Sequence, residues 1–150
     1  MKWLVATLAL ALIAVAPAQQ TADDTAGPSA QDTLAYINQS FLPGDVHYSL
    51  SLSADGQTLT WTEVDPDGTT LTRTAPVAAL DPSRIDPAIN GTVGDLDVAC
   101  RQGSACARAG GKPVNSFYVQ GFQPDDDPLA DAQDAMHHLL VVLQAQTQKL

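Results

Sequence analysis

Residues 128–150 have the sequence PLADAQDAMHHLLVVLQAQTQKL, which carries a regular amphipathic pattern. Its apolar side chains recur every three or four positions and fall on one helical stripe, roughly 80° wide. The stripe consists of Leu129, Ala132, Met136, Leu139, Leu140 and Leu143. Asp127 is a suitable N-cap and Pro128 suits the first helical position, so the pattern predicts a helix over residues 128–150. Because an isolated helix of this length is marginal in water, the stripe must pack on another element.

The segments on which this helix could pack show the alternation of apolar and polar residues that is typical of half-buried strands. Apolar residues from Val46 to Leu52 alternate with His and Ser, and Leu59 and Trp61 share one face of the next strand. A third strand is expected over residues 69–75. Asp55-Gly56 and Asp65-Pro66-Asp67-Gly68 are turn sequences that separate the three. The sequence therefore predicts a three-stranded antiparallel meander.

The remaining regions give weaker patterns. Ser29 precedes a short helical pattern that Pro43-Gly44 ends. Val77 to Leu80 is expected to be a short strand, and the Pro- and Asp-rich residues 81–92 are predicted to form a loop. Alternation resumes at residues 96–100 and 117–122, which predicts further strands with a hairpin between them.

Residues 29–150 are thus predicted to form a single α+β domain. We expect a small, strongly bent antiparallel sheet or partly open β-barrel of about six or seven strands. A short N-terminal helix should precede it, and the amphipathic C-terminal helix should cap it.

This element order from Asp45 onward resembles the pleckstrin-homology-like fold, in which a closing helix plugs one end of a bent sheet. The residues that carry the resemblance are Trp61, Leu96, Val98, Phe117 and the stripe of the last helix. Proteins of that fold often bind phosphoinositides through basic residues in the first hairpin. Here that hairpin is Ser53-Ala54-Asp55-Gly56-Gln57, without Lys or Arg, so lipid-headgroup binding is not expected.

The first eighteen residues have the features of a secretory signal peptide. Lys2 provides a positive n-region, residues 4–15 are almost entirely apolar, and Ala16-Pro17-Ala18 offers a small-residue cleavage site. We expect cleavage after Ala18, export to a bacterial periplasm or outside the cell, and a flexible leader over residues 19–28.

The charge balance limits the partners that can be expected. The formal net charge is −10, with 17 acidic residues against 7 Lys and Arg. Nucleic acids and anionic membranes require clustered basic residues, so neither is an expected partner.

Cys100 and Cys106 are the only cysteines. In an exported chain two cysteines separated by five residues, Gly103 among them, are expected to form a disulfide. The spacing is not Cys-x-x-Cys, so a redox pair is not favoured, and no nearby Cys or His completes a zinc site.

No catalytic, metal or cofactor-binding residue is predicted. His137 and His138 are adjacent on the last helix and point about 100° apart, so they are not expected to share an ion. His47 is expected on the face of its strand opposite the core, and a serine nucleophile elbow is missing from the sequence. Asp65-Pro66-Asp67-Gly68 resembles the start of a calcium loop, but the later acidic ligands are lacking.

The sequence consequently favours a non-enzymatic module that binds another exported protein. The alternatives are a carrier of a small apolar ligand and, with less support, a small enzyme of the cystatin or nuclear-transport-factor kind that would use His47. Asn38 and Asn90 begin N-glycosylation triplets, which matter only in a eukaryotic source.

Overall fold

The computed structural model describes residues 27–149 of the chain; the expected signal peptide and most of the leader lie outside this range. The elements are α1 (Ala30–Gln39), β1 (His47–Leu52), β2 (Thr58–Val64), β3 (Thr70–Pro76), a 3₁₀ turn (Val77–Ala79), β4 (Leu80–Asn90), β5 (Val93–Cys100), β6 (Ala107–Ala109), β7 (Lys112–Val114), β8 (Ser116–Phe122) and α2 (Asp126–Thr147). The predicted α+β class, with one helix before and one after the strands, is confirmed.

The strands form two antiparallel sheets that do not close into a barrel. The larger sheet has five strands in the order β1-β2-β3-β6-β7, and the smaller has three in the order β4-β5-β8. The predicted meander is confirmed as β1, β2 and β3, which pair antiparallel in sequence order.

Helix α2 buries the whole predicted stripe, since Leu129, Ala132, Met136, Leu139, Leu140 and Leu143 are all buried. It packs chiefly on β4 and α1. The helix begins at Asp126, after an extended Asp125, rather than at Pro128. Asp126 and Asp127 therefore occupy the first turn, where their negative charges face the positive end of the helix dipole.

The prediction of a loop over residues 81–92 was wrong, because most of this stretch forms β4. The strand tolerates Pro82 and Pro87 because it is an edge strand, where a missing N–H on the outer side breaks no ladder bond. Its pairing with β5 is also irregular between Leu80 and Ile85. Residues Val77–Ala79 form a 3₁₀ turn instead of the expected strand.

The core lies between the two sheets and the helices, and aromatic and aliphatic side chains fill it. The largest fully buried side chains are Trp61, Phe117, Phe122, Ile37, Leu59, Leu80, Leu96, Met136, Leu139 and Leu140, with Val77 and Val98. Gly94 lets α2 approach β5, because a Cβ there would lie 2.8 Å from Gln123 O and 3.1 Å from Leu129 Cδ1. Within residues 27–149 no helix is both long and apolar enough to cross a membrane.

Candidate functional site

Side chains, rather than strands, close most of the sheet edges in this fold. At the edge of β1, the side-chain amide of Asn38 donates to Leu50 O at 2.8 Å and accepts from Leu50 N–H at 2.9 Å. Asn38 thereby imitates a neighbouring strand. Its amide nitrogen also donates to Leu34 O, so this side chain has a structural role incompatible with the glycosylation that its triplet suggested.

The free edge of β8 is closed by two side chains of the larger sheet. Trp61 Nε1 donates to Gln120 O at 3.1 Å, and the Arg73 guanidinium donates to Tyr118 O at 3.2 Å. Trp61 and Arg73 are directly paired across β2 and β3, so both side chains leave the same face of that sheet. These two contacts join the sheets through side chains, and at the end of the same edge Leu42 N–H also donates to Gly121 O at 2.7 Å.

Arg73 is stacked between two aromatic rings. Its Cζ lies 4.5 Å from the centroid of the Trp61 ring and 4.8 Å from that of Tyr118. Burial lowers the pKa of the guanidinium from its ordinary value, while Tyr118, Glu63 and Asp95 oppose that shift. The two cation–π contacts hold the Arg73 guanidinium in place, so that it links the larger sheet to β8 of the smaller one.

A fully buried carboxylate lies next to this bridge. Asp95 on β5 accepts hydrogen bonds through Oδ2 from the Tyr118 hydroxyl and the Asn90 amide. Burial, with the hydrogen bond to Asp95, raises the pKa of Tyr118 to about 12, so its hydroxyl remains a donor at neutral pH. In the described part of the chain, Oδ1 of Asp95 and Oδ1 of Asp97 are buried without a hydrogen-bond partner.

The outer edge of β4 is capped by donors from α2. Gln144 donates to Leu80 O at 2.9 Å, His137 hydrogen-bonds Pro82 O at 2.7 Å, and Gln133 donates to Ile85 O at 2.6 Å. These three side chains flank the apolar stripe on its β4 side. They attach the helix to the strand by hydrogen bonds in addition to packing.

The capping stops before β4 ends. Because Ile85 O points outward and direction alternates along a strand, Pro87 and Ile89 also direct their backbone groups outward. Within residues 27–149, no hydrogen bond from another element caps the outward backbone groups of these two residues. Ile89 is 45% exposed and borders a groove of about 260 Å³ lined also by Leu129 and Ala130 of α2. We call residues 87–90 the open end of β4.

The predicted disulfide between Cys100 and Cys106 is present, with Cα atoms 5.8 Å apart. Arg101, inside the disulfide loop, donates to the side-chain oxygen of Gln144. The loop therefore also holds the C-terminal half of α2. Sequence reasoning missed this connection, because it depends on how α2 lies across the sheet.

The histidines lie apart from one another. His47 is exposed on the outer face of β1, and His138 hydrogen-bonds Pro28 O at 2.9 Å while His137 contacts β4. The two adjacent imidazoles therefore form hydrogen bonds with different segments of the chain. In the described range no group of three or more His, Cys, Asp or Glu side chains has an arrangement that could hold a metal ion.

Sequence reasoning missed the bridge at Arg73, although a signal for it was available. The predicted turn at residues 65–68 fixes the register of the second hairpin, and that register places Arg73 opposite Trp61. Comparison with known proteins adds no identification, since no protein-family model, curated protein or solved structure matches the chain.

Proposed function

We propose that this chain is an exported, non-enzymatic protein-interaction module that binds an extended segment of another exported protein along the open end of β4. The supporting observation is the contrast along one strand edge. From Leu80 to Ile85 the outward carbonyls are capped by α2, whereas Pro87 and Ile89 are left available beside an exposed apolar side chain. Extended peptides commonly bind proteins by adding a strand to such an edge.

The other sheet edges are less suited to this role. Asn38 covers β1 at Leu50, and Trp61 and Arg73 cover β8. Strand β7 has three residues with Pro113 at its centre, and short or proline-containing edges pair poorly. The open end of β4 is therefore the edge best placed for a partner strand.

The available groups define how such a segment would pair. Pro87 offers only its carbonyl, whereas Ile89 offers both N–H and carbonyl. A docked strand would donate to both carbonyls and accept from the Ile89 N–H. Alternate side chains of that strand would enter the groove beside Leu129 and Ala130.

Export is the second part of the proposal. The signal-like residues 1–18 and the disulfide both support a compartment outside the cytoplasm, either periplasmic or extracellular. N-terminal sequencing of the protein recovered from the native exported fraction should begin at Gln19. Recovery of a chain beginning at Met1 would contradict this part.

The binding proposal can be tested by quantitative capture from that exported fraction. We compare the wild-type chain with Ile89→Lys and with Val141→Lys, a matched control because Val141 is 43% exposed on α2. A partner retained by wild type and Val141→Lys but lost with Ile89→Lys supports the proposal. Equal recovery with both variants, or none with wild type, overturns it. The carrier and enzyme alternatives stay predictions.

A further inference from the structure

The face of the small sheet next to the open end of β4 is acidic. Asp86 on β4 is directly paired with Asp97 on β5, so two like charges lie opposite each other on one face. Asp95, two residues before Asp97, shares that face. Like charges directly opposite each other destabilise a sheet, so this arrangement needs an explanation.

Two carboxylate oxygens on this face lack partners within residues 27–149. Asp95 is 0% exposed and Asp97 is half-buried, yet Oδ1 of each is buried without a hydrogen bond. A buried carboxylate oxygen ordinarily accepts a hydrogen bond. Asp86, by contrast, is exposed and accessible from the outer edge.

We infer that the segment docked on the open end of β4 carries a Lys or Arg side chain that crosses Ala88 to reach Asp86 and Asp97. This inference rests on the function proposed above and specifies the chemistry of the partner. Neighbouring strands lie about 4.8 Å apart, so Asp97 is about 10 Å from an added strand and within reach of an arginine. Ala88, the β4 residue between Asp86 and Asn90 on this face, is small and exposed.

Charge complementarity favours a basic segment over a second copy of this chain. A second copy would bring another strongly acidic chain to a face whose β4 side holds Asp86 and Asp97, while Arg73 lies on the far, β8 side of that face. The groove on the other face of β4 is mainly apolar, with Asp126 at its margin. A docked segment that fits both the apolar groove and the acidic face therefore has alternating apolar and basic side chains.

The test uses fluorescein-labelled, end-capped hexapeptides in which Val alternates with Arg or, as the comparison, with Gln. Binding to the full folded chain is measured by fluorescence anisotropy. The Arg peptide should bind at least about tenfold more tightly than the Gln peptide, and this preference should shrink as salt increases. Equal affinity for the two peptides overturns the inference.

Two double variants separate this local attraction from the effect of net charge. Asp86→Asn with Asp97→Asn should weaken binding of the Arg peptide at least about fivefold. Asp45→Asn with Asp131→Asn removes the same charge from exposed positions elsewhere on the protein. This pair should change the affinity for the Arg peptide less than about twofold. Equal weakening by both pairs also overturns the inference.

These peptide measurements can fail independently of the proposed function. If the native partner requires Ile89 but the peptides show no preference for Arg, the partner chemistry is wrong while the docking edge stands. If capture of the native partner does not depend on Ile89, the proposed function itself fails.

Discussion

Replacing Gly121 by alanine should destabilise the fold by about 4 kcal/mol. Gly121 on β8 has φ of +106°, a conformation that costs a residue with a Cβ about 1–3 kcal/mol. A Cβ there would also lie 2.5 and 2.6 Å from Tyr48 Cδ2 and Cδ1, and overpacking of this kind costs about 1–3 kcal/mol more. The ring of Tyr48 covers Gly121 closely where the two sheets meet.

The free energy of unfolding can be measured by urea titration, with the fluorescence of fully buried Trp61 as the signal. Gly56→Ala is the matched control, since Gly56 has φ of +72° but nothing within 4 Å of an added Cβ. It should cost only about 1 kcal/mol. In a Tyr48→Ala background the cost of Gly121→Ala should fall by about 2 kcal/mol. If Gly121→Ala costs no more than Gly56→Ala, the close contact between the sheets is refuted.

Three further results are expected. Replacing Cys100 and Cys106 together by alanine should lower the free energy of unfolding in urea by about 2 kcal/mol, and an unchanged value would mean that the short loop adds no constraint. Because the pKa of Tyr118 is raised to about 12 from 10.0, its contribution to stability is complete below pH 10 and is lost as the pH rises toward 12. Between pH 10 and pH 12, the urea midpoint of Tyr118→Phe should fall less steeply with pH than that of the wild type. Identical slopes would contradict the raised pKa of Tyr118. Leu139→Asp should abolish cooperative thermal unfolding, because Leu139 is 0% exposed. His138→Ala should lower the free energy of unfolding by less than about 1 kcal/mol. If thermal melts show His138→Ala to be the more destabilising variant, the packing of α2 is contradicted.

The features that the sequence predicts well are those determined by local pattern. The apolar stripe of α2 follows from helical periodicity, and the meander follows from alternation between two turns with Gly56 and Gly68 at positive φ. The disulfide follows from having two cysteines a short loop apart. In each case the residues that specify the feature are close together in the chain.

The features that the sequence did not reveal depend on which elements become neighbours. Pro82 and Pro87 argue against a strand until β4 is known to be an edge, where the lost N–H groups face outward. In the sequence, Gln133 and Gln144 have the character of ordinary surface residues. Their hydrogen bonds to β4 depend on the position of α2 along that edge. The same holds for Asp95, whose hydrogen bond with Tyr118 forms only because β5 pairs with β8.

Binding of another protein at the open end of β4 is tested most directly by site-specific cross-linking. A photoreactive residue, p-benzoylphenylalanine, can replace Ile89 or, as the control, Val141 in the full chain expressed in its native cell. Because both side chains are similarly exposed, nonspecific labelling should be equal at the two positions. We predict a discrete cross-linked partner for Ile89 alone, whose yield falls when Asp86 and Asp97 are also changed to asparagine. Equal cross-linking at both positions, or none at Ile89, would contradict the claim.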